Sequence, residues 1–98
     1  MREPLSDAQI REALNTLPGW TYDNERLHKT FEVGDFREAI SFIVRIAFCA
    51  EELNHHPELA NVYNRVSIAL TTHDAGNNVT EMDVKLARAI ERVFGGRP

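Results

Sequence analysis

A chain of 98 residues with a formal net charge of -4 is long enough for one hydrophobic core and too short for two, so a single domain over 1–98 is expected. Hydrophobic residues make up 43% and charged residues 27%, an ordinary globular balance, and with no basic stripe the acidic excess argues against a nucleic-acid backbone as main partner. The longest apolar-rich stretch, Ala39 to Ala50, is broken by Ser41 and Arg45 and falls short of the ~20 residues a membrane span needs. Met1-Arg2-Glu3-Pro4 leads into polar residues rather than an apolar run, so no secretory leader is expected and the cytoplasm is the expected location. The single Cys49 cannot form an internal disulfide and, inside an apolar helical pattern, simply fills space.

Ser6 with Gln9, followed by Ile10, Ala13, Leu14 and Leu17 at helical spacing, predicts a capped amphipathic helix stopped by Pro18-Gly19. Trp20-Thr21-Tyr22 and Leu27 to Val33 flank the polar turn Asp23-Asn24-Glu25. They predict a β-hairpin, with Leu27, Phe31 and Val33 on one face and His28, Thr30 and Glu32 on the other. Asp35 with Glu38 is a second capping signature. It opens a helix whose apolar stripe, Phe36, Ala39, Ile40, Ile43, Val44, Ala47, Ala50 and Leu53, is widened by Phe42, Ile46 and Cys49. So wide an arc exceeds what a surface helix buries and predicts a subunit interface, hence a homodimer or homotetramer, with pairing through a sheet edge as the alternative interface.

Pro57 ends that helix and places His55 and His56 at its exit. Val62-Tyr63 and Val66 to Thr72 read as strands split by a turn at Asn64-Arg65, with Val66, Ile68 and Leu70 on one face and Ser67, Ala69, Thr71 and His73 on the other. After the turn-rich Asp74 to Asn78, Thr80 with Asp83 opens a last helix through Val84, Leu86, Ala87, Ile90, Val93 and Phe94 to Gly95-Gly96. The order α-β-β-α-β-β-α predicts an α+β domain: a four-stranded antiparallel sheet with three helices packed on one face.

There is no glycine-rich phosphate loop, no Gly-x-Ser-x-Gly and no cysteine in a polar setting, which leaves the histidines as carriers of chemistry. His55 and His56 border one predicted hollow at the helix exit and His73, at a strand end, completes it. Imidazole transfers protons near neutral pH, so three of them beside the carboxylate of Glu51 suggest acid-base catalysis. Three imidazoles with Glu51 also suit zinc in principle, but adjacent histidines chelate one ion awkwardly and lack the i, i+4 spacing of a helical metal motif, so no metal is expected. Asp83 read alone is a helix cap, Trp20 a core anchor, and Tyr63 a half-buried strand aromatic. His28, on a hairpin strand, is given no role.

Glu51, His55-His56-Pro57, Tyr63, His73 and Asp83 in this spacing resemble the signature of the pterin-4a-carbinolamine dehydratases. Trp20, Asp35-Phe36 and Asn61-Val62-Tyr63-Asn64, with the element order and length, extend that resemblance over nearly the whole chain. It implies dehydration of 4a-hydroxytetrahydrobiopterin to quinonoid dihydrobiopterin and water, next to a pterin-dependent aromatic amino acid hydroxylase. The pterin is then the substrate and no cofactor is implied. His55, His56, His73 and Asp83 form the implied catalytic set, with His55 and His73 transferring protons. Glu51, His56, Pro57, Tyr63 and Trp20 are implied to bind substrate, and Glu51 and Asp83 to support the histidines. The loop Gly76-Asn77-Asn78 departs from the family pattern in being more polar and slightly longer, and is expected to shift Asp83 relative to His73. The alternative is a non-catalytic interaction module on the same fold, a dimerisation cofactor or assembly factor, which accounts for the apolar helix but not for the histidines.

Overall fold

In the computed structural model, which describes residues 3–96, the elements run α1 (Asp7–Leu14), β1 (Thr21–Asp23), β2 (Arg26–Glu32), α2 (Phe36–Leu53), β3 (Glu58–Val62), β4 (Arg65–Leu70) and α3 (Glu81–Gly95). A 3-10 turn, His73–Ala75, stands between β4 and α3. The Ser6 hydroxyl accepts from the Gln9 amide while the Gln9 side chain accepts from the Ser6 amide, so a reciprocal cap starts α1. The helix ends at Leu14, earlier than the spacing predicted; Leu17 is buried, but from the turn that follows.

The strands form one antiparallel sheet in the order β1-β2-β4-β3. Asn24 and Glu25 both take positive φ, 55 and 56, the backbone whose twist suits a two-residue hairpin between β1 and β2. Alternation then decides the faces. Leu27, Phe31, Val66, Ile68 and Leu70 are buried, whereas Thr30 and Ser67, directly paired, point out with their hydroxyls 3.0 Å apart. Ile10 of α1, Phe42 and Ile46 of α2, and Leu86 and Ile90 of α3 all join the same core. The three helices therefore cover one face and leave the other open.

Strand β3 begins at Glu58, four residues before the predicted start, and the hairpin turns at Tyr63-Asn64 rather than Asn64-Arg65. Tyr63 takes φ 52, held by Asn61 Nδ2, which donates to the carbonyls of Tyr63 and Arg65. Helix α2 is capped by Asp35, which accepts from the Glu38 amide, but the Glu38 carboxylate accepts from Gly34 rather than from Asp35. Its buried residues are Ala39, Phe42, Ile46 and Ala50. Phe36, Ile40, Val44 and Phe48, one turn apart, are exposed. The wide apolar arc thus divides into one stripe that packs on the sheet and α3 and another that faces outward. No helix among the described residues is long and apolar enough to cross a membrane.

Candidate active site

Asn54 closes α2 in the left-handed conformation, φ 51, and the His55 amide donates to the Ala50 carbonyl at 3.0 Å. Asparagine tolerates that backbone better than most residues, and the reversal it produces throws His55 back under the helix. Neighbouring side chains then diverge. His55 is 5% exposed with Nε2 2.5 Å from Asp83 Oδ1, while His56 is exposed with Nε2 2.8 Å from Glu51 Oε1.

Asp83 is fully buried. Its Oδ2 accepts from the Thr80 amide at 2.9 Å, completing the cap of α3, and from Thr72 Oγ1 at 2.8 Å. A hydroxyl carries one hydrogen, so Thr72, having donated to Asp83, accepts at its 2.7 Å contact with Thr80 Oγ1. The polarity runs Thr80 to Thr72 to Asp83, with His55 Nε2–H donating to the other oxygen. Every lone-pair direction of a buried carboxylate is costly to leave empty, and here three donors and the N-terminal end of a helix share the charge. The cap that sequence reading assigned to Asp83 and the support of His55 implied by resemblance are one arrangement.

His73 does not end a strand; it opens the 3-10 turn, exposed, with Nδ1 2.8 Å from Asn77 Oδ1. The polar loop therefore engages His73 while Asp83 engages His55. A hollow of about 300 Å3 is lined by Asn54, His55, His56, Pro57, Glu58, His73 and Asp74. It brings together His55, His56, Pro57 and His73, with Asp83 behind the first and Glu51 beside the second.

Two expected substrate contacts lie elsewhere. Trp20 is buried, its Nε1 donating to Glu91 Oε2 at 2.8 Å and its ring packed edge-on to Phe31. Tyr63 sits at the far tip of the β3–β4 hairpin, 79% exposed, separated from Pro57 by the whole of β3, roughly 20 Å at ~3.3 Å per residue. Neither reaches the hollow of its own chain. Sequence reading missed Thr72, Asn77 and Glu58. Thr72 sits just before His73, where polarity in a strand-end run was the available signal. The Glu58 carboxylate accepts from Arg26 Nε and Nη2, both at 3.1 Å. Hydrogen bonds from Arg26 hold it below the usual carboxylate range against partial desolvation, with the Arg26 charge, His73 and His28 pulling the same way. Among the described residues no three His, Cys, Asp or Glu side chains are grouped to hold a metal ion.

The family model described as pterin 4 alpha carbinolamine dehydratase matches residues 3–93. A relative in Opitutus terrae named for that dehydratase is 55% identical over 89 residues, covering 91% of this chain and 92% of its own. One so named in Sulfurisphaera tokodaii is 42% identical over 90 residues, 92% of this chain and 96% of its own. The crystal structure of a transcriptional coactivator/pterin dehydratase from Brucella melitensis superposes with a TM-score of 0.88 at 40% identity, covering 93% of this chain and 98% of that one. With the matched region spanning every element that builds the hollow, this chain belongs to the pterin-4-alpha-carbinolamine dehydratase family.

Proposed function

We propose that the hollow binds 4a-hydroxytetrahydrobiopterin and that His55 and His73 move the protons of its dehydration, recycling the pterin used by an aromatic amino acid hydroxylase. The observation that carries this reading is the convergence of three imidazoles on one hollow, with one of them locked by a buried carboxylate. In the reaction the C4a–O bond breaks, the neighbouring ring N–H gives up its proton, a C=N bond forms and water leaves. One group must protonate the departing oxygen while another accepts the ring proton, and each positioned group contributes ~10²- to 10⁴-fold. His73, with Nδ1 on Asn77, turns Nε2 to the substrate; Asp83 fixes the His55 ring; His56, steadied by Glu51, orients the pterin beside Pro57. The test is to generate the 4a-hydroxypterin with a hydroxylase and follow its ultraviolet decay. Acceleration by the protein, lost in a folded His55→Ala, His73→Ala double variant, is the expected result. No acceleration by the folded wild type refutes the dehydratase reading.

A second role is favoured by the outward stripe of α2, where Phe36, Ile40, Val44 and Phe48 are 55%, 40%, 48% and 69% exposed. Four large apolar side chains in one row are poorly matched to water and fit a partner surface. The first occupant we assign is another copy of the chain, as homodimer or homotetramer. Sedimentation at micromolar concentration is expected to show an oligomer, and Val44→Asp with Phe48→Asp to shift it to smaller species. A wild type that sediments only as monomer refutes self-association and leaves the stripe to a different protein, the interaction role that the Brucella protein's coactivator name suggests.

A further inference from the structure

The open face of the sheet carries a groove of about 370 Å3, lined among others by Thr21, His28, Thr30, Ser67 and Ala69. Strand pairing explains why it is there. His28, Ala69 and Glu58 form one row across β2, β4 and β3, and Thr30, Ser67 and Ala60 the next. Ala69, Ser67 and Ala60 are small, so the sheet is hollowed between the larger His28 and Glu58. Glu58 lines this groove and also lines the histidine hollow. Its carboxylate is pinned by Arg26, which reaches over β4 from the start of β2, and it feels the charge of His28 on the groove side and His73 on the hollow side. The two depressions thus meet at one fixed carboxylate.

We propose that the substituent carried by the pterin ring leaves the hollow over Glu58 and lies in this groove, and that the groove selects hydroxylated chains over carboxylate-bearing ones. The inference rests on the dehydratase reading and names what that site takes beyond the ring. Thr30 and Ser67 hydroxyls, 3.0 Å apart, share one hydrogen between them and present the other hydrogen and the remaining lone pairs to a ligand. Glu58 accepts from a ligand hydroxyl and offers a ligand carboxylate no donor. The nearby basic groups are already engaged, Arg26 with Glu58, Lys29 with Glu91 at 2.5 Å and with the Pro18 carbonyl at 2.8 Å, and His28 Nε2 with the Asp23 carbonyl at 3.0 Å, so a ligand carboxylate would give up water here for no ionic partner of its own.

The experiment compares three dihydropterins carrying a methyl group, a dihydroxypropyl chain or a glutamate-bearing chain at the same ring carbon. Binding is titrated by fluorescence, and KM is measured for the 4a-hydroxy adducts, with wild type and a Thr30→Val, Ser67→Ala variant. The wild type is expected to prefer the dihydroxypropyl form over the methyl form by about 3- to 10-fold in both readouts, the worth of a neutral hydrogen bond or two. The variant is expected to bring that ratio close to one. Glu58→Gln, which keeps a hydrogen-bonding partner for Arg26 without the charge, is expected to narrow discrimination against the glutamate-bearing chain and serves if the double variant does not fold. A wild type without preference, or a ratio unchanged in both variants, overturns the subsite while leaving the dehydratase reading intact. Failure of all three pterins to bind or to be dehydrated overturns both.

Discussion

His73→Ala is expected to lower kcat for dehydration by about 100-fold, the lower end of what one positioned proton carrier supplies, while changing stability by no more than about 0.5 kcal/mol. The two halves of that expectation come from different features. His73 is exposed and lies outside the hydrophobic core, its ring held by Asn77 at the surface of a 3-10 turn. Truncating such a side chain opens no cavity and strands no buried donor. Yet it lines the hollow opposite the end of α2, and alanine has no atom that can exchange a proton. A melting curve matching the wild type together with a collapsed kcat identifies a group that acts on substrate. An unchanged kcat removes His73 from proton transfer. A large loss of stability shows instead that the turn depends on it.

Most of the fold was legible because short-range signals were strong. Ser6-Gln9 and Thr80-Asp83 both form reciprocal caps, and the alternation of Leu27, Phe31, Val66, Ile68 and Leu70 fixed which sheet face is buried. The failures occur where two answers look alike along the chain. Helix α2 presents apolar residues over so wide an arc that hydrophobicity does not tell Phe42 and Ile46, which are buried, from Phe36, Val44 and Phe48, which are not. Only the position of β4 and α3 decides it. Strand β3, at the sheet edge, has little alternation to read, since Glu58, Leu59, Ala60 and Val62 are all exposed. The site was legible in part for the same reason. Histidine is chemically conspicuous, so His55, His56 and His73 stood out, whereas Thr72 gains its role from a fold contact with Thr80 and Asp83 that local sequence does not encode. Trp20 and Tyr63 were placed near the substrate by resemblance, and their locations in the core and at a hairpin tip are properties of the tertiary structure.

Asp83→Ala is expected to cost about 3–5 kcal/mol, read as a lower urea midpoint, because it removes one member of a buried pair and strands the others. His55 Nε2, the Thr80 amide and the Thr72 hydroxyl all lose their acceptor at once, in a domain whose whole stability is on the order of 5–15 kcal/mol. A loss below about 1 kcal/mol contradicts the network. Asp83→Asn separates the structural share from the catalytic one. Its amide oxygen can still accept from Thr80 and Thr72, but its NH2 then faces His55, whose Nε2 has to accept rather than donate. The ring can meet that demand only with its proton on Nδ1. The asparagine variant therefore restores much of the stability while holding His55 in the opposite tautomer from the one a carboxylate selects, and kcat is expected to stay low. Recovery of both stability and kcat in Asp83→Asn means that His55 needs only to be held in place; recovery of stability alone means that the proton on Nε2, which only an acceptor in place of Asp83 preserves, is part of the chemistry.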